Sequence, residues 1–306
     1  MRAVSMLASA TEIVCALGLR DTLVGRSHEC DYPPDILELP QVSRPSFPVT
    51  GSSKAVDLAV KDRLRKALSI YEVDATALQS LAPDVILTQT QCEVCAVSPA
   101  DVERAAAETT CTPSTVVALE PNQLSDIWND IEVVAAALQA EAAGTALIAR
   151  LRGRLDEIES QYRGIASRPT VVTIEWIDPL MTAGNWMPEL IELAGGQNLL
   201  GVAGKHSPWM TWDELVAADP DVLLVSPCGF GIERTMEEMH LLTAHPQWTS
   251  LKAVAQGRVF VADGNAYFHR PGPRVVESAE MIAEMLHGHV GARTHEGTGF
   301  KRYVSL

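Results

Sequence analysis

One seven-residue phrase occurs twice in this chain, and the duplication constrains the fold more than any other feature. Leu81-Ala82-Pro83-Asp84-Val85-Ile86-Leu87 is echoed by Ala218-Asp219-Pro220-Asp221-Val222-Leu223-Leu224. Each copy follows a short helix-like run and precedes a loop that contains cysteine. A second echo relates Glu12-Ile13-Val14-Cys15-Ala16-Leu17-Gly18 to Glu189-Leu190-Ile191-Glu192-Leu193-Ala194-Gly195. Self-similarity on this scale reads as two lobes of related architecture. A length of 306 residues accommodates two modest domains and little more.

Within each lobe the pattern is that of an α/β protein. Short runs rich in β-branched residues close on turns at 3–7, 85–87, 116–119, 171–174, 222–225 and 259–262, as buried parallel strands do. Helical periodicity fills the intervals, most clearly at 11–19, 102–108, 189–194 and 275–286. Between the lobes, residues 123–162 are dense in Ala, Leu, Glu and Arg, and Ile127, Ile131, Val134 and Leu138 keep helical spacing. Forty helical residues would reach about 60 Å, so a break is expected, with Gly144 marking it. The expected organisation is an N-terminal α/β lobe over residues 1–121, a helical connector over 122–166, a C-terminal α/β lobe over 167–290 and a loose tail over 291–306. The lobes are expected to be Rossmann-like, with a ligand cleft between them.

Charge and composition exclude several functions. Lys and Arg number 24 against 39 Asp and Glu, a net charge of −15, which does not suit a nucleic-acid binder. No window approaches the roughly 20 apolar residues of a spanning helix, so membrane insertion is not expected. Thr11 and Glu12 interrupt the N-terminal apolar run before it makes a secretory signal, which suggests a cytoplasmic protein as written, or a periplasmic one if a leader has been removed. Six cysteines are too few for a disulfide framework at this length. There is no P-loop, nucleophile elbow, zinc helix or dinucleotide fingerprint. A thiol enzyme using Cys92 and Cys95 would need a nearby cation to lower a thiol pKa, and no adjacent residue supplies one.

Ligands of open α/β sheets bind beyond the carboxyl ends of the strands, which selects particular loops. They carry His28, Glu29 and Cys30; Gln91, Cys92 and Cys95; Glu175, Trp176 and Trp186; Cys228 and Phe230; and Asn265, Tyr267, His269 and Arg270. Trp176, Trp186, Phe230 and Tyr267 suit a large flat ligand, since aromatic faces supply apolar area at low entropic cost. Cys30, Cys92, Cys95 and Cys228 amount to four thiolates, the number that holds zinc or an iron–sulfur cluster; the alternative is four buried loop thiols with no ligand. Cys15 and Cys111 read as packing residues. Glu175 is either a ligand-facing carboxylate or a partner of Arg270. Glu12 and Glu189 open the matching helices, as carboxylates complementing a helix dipole or as exposed docking contacts.

Ser9-Ala10-Thr11-Glu12-Ile13, the paired Pro-Asp-Val strands, the long helical connector and Asp263-Gly264-Asn265 together resemble the substrate-binding proteins of cobalamin and ferric-siderophore importers. The chain is most similar to their cobalamin-binding branch. Ser27-His28-Glu29-Cys30-Asp31-Tyr32-Pro33, Cys92-Glu93-Val94-Cys95-Ala96-Val97 and Asn265-Ala266-Tyr267-Phe268-His269-Arg270-Pro271-Gly272-Pro273 carry that similarity, which spans residues 2–287. The resemblance implies a periplasmic-binding-protein-like fold with one rigid helical connector and a ligand held in the cleft. It implies a binding protein, not an enzyme, that hands cobalamin or a related corrinoid or metal chelate to an ABC permease. A glutamate on each lobe would engage permease arginines, with Glu12 and Glu189 as the candidates here. His28 or a cleft thiolate is expected to approach the cobalt face. The absent leader and the loop thiols depart from that pattern, toward a cytoplasmic carrier serving a cytoplasmic acceptor. The alternative is a metalloprotein of the same fold holding zinc or an iron–sulfur cluster through Cys30, Cys92, Cys95 and Cys228.

Overall fold

In a computed structural model, residues 1–66, 69–91, 97–107, 114–288 and 294–304 are described. The chain divides into two compact units. The first comprises residues 1–51, 55–121 and 125–150, and the second comprises 52–54, 122–124 and 151–306.

The first unit is built on β1 (Ala3–Ser5), β2 (Leu23–Arg26), β5 (Val85–Gln89) and β6 (Thr115–Leu119), all parallel in the order β2-β1-β5-β6. A small antiparallel pair, β3 (Ser43–Pro45) with β4 (Tyr71–Val73), stands apart from that sheet. The helices that draw on this unit are α1 (Ala8–Ala16), α2 (Ser53–Arg65), α3 (Ala75–Leu81), α4 (Pro99–Ala107), α5 (Leu124–Ala137) and α6 (Glu141–Tyr162). Val4, Met6, Ile86 and Leu78 interlock in its core. Parallel strands buried on both faces need continuous apolar runs, and the β-branched segments supply them.

The second unit holds a mixed sheet in the order β12-β11-β10-β7-β8. Here β7 (Thr170–Trp176), β10 (Val222–Val225) and β11 (Val259–Ala262) are parallel, with β8 (Met181–Thr182) and β12 (Phe300–Arg302) antiparallel at the margins and β9 (Gln197–Asn198) beside β7. Its helices are α7 (Met187–Leu193), α8 (Trp212–Ala218), α9 (Ile232–Thr243), α10 (Lys252–Ala255) and α11 (Val275–His287). A Thr-x-x-Glu sequence starts α8 as a reciprocal cap: Thr211 accepts from the Glu214 amide while the Glu214 carboxylate accepts from the Thr211 amide.

The echoed heptapeptide does the same structural work twice. Ala82 and Asp219, its matched second residues, both take left-handed backbone (φ +43° and +37°) and end α3 and α8. Two residues later the aspartate reaches the start of the neighbouring central strand. Asp84 Oδ2 accepts from the Arg2 amide at 2.7 Å, just before β1, and Asp221 Oδ2 accepts from the Thr170 amide at 2.8 Å, where β7 begins. Each carboxylate satisfies a strand-end donor that would otherwise need water.

Three sequence expectations are corrected. The helical segment bends at Leu138–Ala140, where Gln139 takes φ +58°, and not at Gly144. Gly144 lies within α6 because a Cβ there would sit 2.6 Å from the Ala135 Cβ; the missing side chain lets α5 and α6 approach. Residues 122–166 are not a connector separate from both lobes: α5 belongs to the first unit, and the change of unit falls inside α6, between Arg150 and Leu151. Nor are the described residues of the C-terminal segment loose, since β12 pairs with β11 in register Ala262↔Phe300, Val261↔Lys301 and Phe260↔Arg302. The four glycines that suggested slackness divide between a helix cap at Gly288, residue 291 outside the described set, and the tight turn before β12 that contains Gly297 and Gly299.

Candidate functional site

In the first unit, the loop after β2 carries His28, Glu29 and Cys30. The imidazole of His28 lies against Tyr71 with ring centroids 5.2 Å apart, and its Nδ1 is 3.1 Å from the Ser43 hydroxyl. Burial, reinforced by the positive charge of Arg26, pushes its pKa down to about 4, so the ring is neutral at physiological pH. Nε2 lies 3.9 Å from the Glu29 carboxylate, a loose contact. Cys30 is 0% exposed; its sulfur accepts from the Thr11 hydroxyl at 3.0 Å and lies 3.8 Å from the Ser5 carbonyl. It is a loop thiol packed against the end of β1, closed to solvent. Gln91 is half-buried just after β5, while Cys92, Cys95 and Cys111 lie outside the described residues. Among the described residues, no three His, Cys, Asp or Glu side chains are grouped to hold a metal ion. With Cys30 sealed in the core, the expected four-thiolate centre has no support.

Of the two glutamates expected to dock a partner, Glu12 is closed to solvent and Glu189 is half-buried. Helix α1 begins at Ala8, so Glu12 is not in its first turn, and it is only 3% exposed, where a docking contact has to be open. Glu189 lies in the first turn of α7, and its Oε2 accepts from the Leu124 amide at 2.7 Å.

In the second unit the carboxyl ends of β7, β10 and β11 bring most of the expected residues together. The Trp176 indole tilts against Phe230 at 5.2 Å between centroids, and the Arg234 guanidinium lies over Phe230 at 4.7 Å. Arg274 lies over the Tyr267 ring at 5.0 Å. Cations over aromatic faces hold both partners in place. Trp176 and Tyr267 are half-buried, whereas Phe230 is buried behind Trp176. Trp186 is not a lining residue: it is buried, and its Nε1 donates to the Phe268 carbonyl at 3.2 Å as an internal brace.

A polar cluster forms at the same strand ends. Glu175 Oε2 accepts from the Ser207 hydroxyl at 2.7 Å, and Ser207 in turn accepts from the Gly184 amide at 3.0 Å. His269 Nε2 is 2.5 Å from the Ser226 carbonyl, which can only accept, so this nitrogen carries the proton. Nδ1 then faces Glu175 Oε2 at 3.6 Å. Glu175 therefore has Ser207 and His269 beside it, and both are partners that sequence spacing did not identify. Cys228 is half-buried, and its amide donates to the Glu175 carbonyl at 3.0 Å.

The loop after β11 is shaped by one π-helical turn over Gly264–Phe268. The Asp263 carboxylate starts it by accepting from the Ala266 amide at 2.7 Å. Gly264 is required there, since a Cβ would fall 2.1 Å from the Pro227 carbonyl. The turn sets Asn265, whose amide donates to the Phe230 carbonyl and whose Oδ1 accepts from Arg270 at 3.4 Å. Such single turns occur often at functional sites. Ser207, Arg234 and Arg274 are the site residues that the sequence did not select; Arg274 ends a loop already singled out, whereas Ser207 arrives through the strand pairing of residues 203–209 with 181–185 and has no local signal.

The profile of the family described as "Periplasmic binding protein" matches residues 4–266. The vitamin B12-binding protein of Vibrio cholerae is 24% identical over 289 residues, covering 93% of this chain and 88% of that protein. The vitamin B12-binding protein of Photorhabdus laumondii is 20% identical, covering 94% and 88%. Among solved structures, a periplasmic heme binding protein from Pseudomonas aeruginosa superposes with a TM-score of 0.72 at 18% identity, covering 99% of this chain and 98% of that one. The periplasmic vitamin B12 binding protein of Vibrio cholerae superposes with a TM-score of 0.65 at 21% identity, covering 93% and 95%. These structures are similar in fold.

Proposed function

This chain belongs to the periplasmic binding protein family, and we propose that it is a non-catalytic receptor for cobalamin or a related flat metal chelate. The observation that carries this reading is the aromatic and cationic set at the strand ends of the second unit. The half-buried faces of Trp176 and Tyr267 offer apolar area to a macrocycle, beside the guanidinium groups of Arg274 and of Arg234, the latter paired with Glu237 at 3.0 Å and Glu238 at 2.6 Å. Within the first unit, taken by itself, His28 has the neutral state that a metal ligand needs, because a metal takes imidazole and not imidazolium. Relatives named for vitamin B12 and fold neighbours named for heme support the same ligand shape. Charge separates the two: heme presents carboxylates to an arginine, and cobalamin presents mainly neutral amides.

Delivery to an ABC permease follows from the family reading, with docking groups other than Glu12. The periplasmic names of the relatives favour a location outside the cytoplasm, and a cytoplasmic acceptor has no support among them. No helix among the described residues is long and apolar enough to cross a membrane. Zinc and iron–sulfur readings are not favoured by any described group of side chains.

The test is an absorbance titration of purified protein with hydroxocobalamin and, separately, with hemin. A saturable spectral shift with one of them, weakened in Trp176→Ala, is the expected result. Failure of both to bind overturns the proposal.

A further inference from the structure

The segment expected to be a loose tail touches the loop on which the ligand reading rests. The Asp263 amide donates to the Gly299 carbonyl at 3.0 Å, and Asp263 is the residue that starts the π-helical turn. Gly299 also packs against Met281 of α11 and the edge of the Tyr267 ring; a Cβ there would fall 2.5 Å from the Met281 sulfur and 3.6 Å from the ring. Its amide donates to the His295 carbonyl at 2.9 Å, which ties it to the start of the segment.

That start is pinned by charge. His295 Nε2 pairs with Glu280 Oε2 at 3.0 Å, and the His295 amide donates to Glu284 Oε2 at 2.8 Å. The Thr294 hydroxyl donates to the other oxygen of Glu284. From α6, Arg154 bonds Glu280 Oε1 at 2.6 Å and Glu277 Oε1 at 3.0 Å. The groups facing His295 are therefore Glu277, Glu280 and Glu284 of α11, balanced by Arg154 of α6. With His295 neutral the three carboxylates face Arg154 alone, and a proton on His295 adds the second cation that offsets part of the remaining charge.

We propose that residues 294–302 form a strap that orders the ligand loop over Asp263–Arg270, and that His295, through its pair with Glu280, is a positioning residue for that loop. The inference rests on the reading of this loop as ligand-binding only for its consequence on affinity; the ordering itself needs no ligand. The Glu280 bond raises the His295 pKa above the ordinary histidine value, so the pin is complete below about pH 6.5 and weakens as pH rises through the raised pKa.

Hydrogen exchange of the Asp263, Ala266 and Tyr267 amides, corrected for intrinsic rates, tests this on the full chain at pH 6 and pH 8.5. In the unmodified protein these amides should exchange about three- to fivefold faster at pH 8.5, the size of a part-exposed ion pair. His295→Gln should show the faster rate at both pH values, and His295→Lys, which keeps a cation near Glu280, the slower rate at both. Identical protection in all three proteins overturns the strap. Hydroxocobalamin and hemin titrations of the same proteins form a separate arm. Exchange that responds while affinity does not move leaves the strap standing and overturns the assignment of the loop to the ligand.

Discussion

Replacing His28 by Phe should change how the protein tolerates acid more than how it folds at neutral pH. Phe keeps a ring against Tyr71, and the residue 28 amide can still donate to the Ser43 hydroxyl at 3.4 Å. What disappears, besides the Nδ1 contact with the Ser43 hydroxyl, is a titration. In the unfolded chain His28 takes a proton below about pH 6.5, whereas burial and Arg26 delay that in the folded state to about pH 4. Between those values the unfolded state binds the extra proton, so falling pH favours unfolding. At pH 5 the linkage amounts to about 2 kcal/mol, and at pH 7 to only a few tenths. Urea denaturation followed by circular dichroism, on both proteins at both pH values, gives the comparison. The stability gap between them should shift by about 2 kcal/mol in favour of His28→Phe on going from pH 7 to pH 5. A gap that stays constant within about 0.5 kcal/mol refutes the neutral, buried imidazole, and with it the candidate metal ligand.

Asp130 titrates in the opposite sense. It is 3% exposed with Oδ2 unpartnered among the described residues, and burial, with Asp126 and Glu120 nearby, raises its pKa to about 7. Its contribution to stability is full below about pH 4 and lost as pH rises through 7; Asp130→Asn should therefore stabilise the protein by about 2–4 kcal/mol at pH 8.5 and by little at pH 4, as read from urea midpoints. Gly144→Leu should cost about 1–3 kcal/mol, seen as a lowered melting temperature, because the Ala135 Cβ occupies the space a side chain would need. Trp176→Ala should weaken binding of the chelate about ten- to a hundredfold with melting temperature little changed, whereas Trp186→Phe, which removes the bond to the Phe268 carbonyl, should show mainly as a lower melting temperature.

Legibility in the sequence followed the range of the physics. The strands at 85–87, 171–174, 222–225 and 259–262 were readable because a parallel strand buried on both faces writes its environment into consecutive residues. The repeat was readable for the same reason, and the structure supplies its cause in the paired strand-end carboxylates Asp84 and Asp221. Gly144 was misread because a helical glycine that admits a neighbouring helix looks in sequence like one that ends its own. The C-terminal segment was misread because β12 is only three residues long and draws its order from β11 and α11. At the site, Trp176, Phe230 and Tyr267 could be found from their loops, but the separate use of Trp186 as a brace depends on a carbonyl 82 residues away. Cys30 and Cys228 resemble each other in sequence context, yet one is sealed beside Thr11 and the other is half-buried.

The two strand-end carboxylates also bear on the order of assembly during synthesis. Closing the Asp84 bond brings together residues 82 positions apart, and closing the Asp221 bond spans 51. Loop-closure entropy favours the shorter span by only about 0.4 kcal/mol. So small a difference cannot overcome the direction of translation. The first sheet is complete at Leu119, before any strand of the second exists, while the β11–β12 pairing waits for residues 300–302 to emerge. A ribosome-stalled chain ending near residue 290 should therefore carry an ordered N-terminal sheet and a second sheet whose β11 edge is unpaired, a ready target for a holdase chaperone.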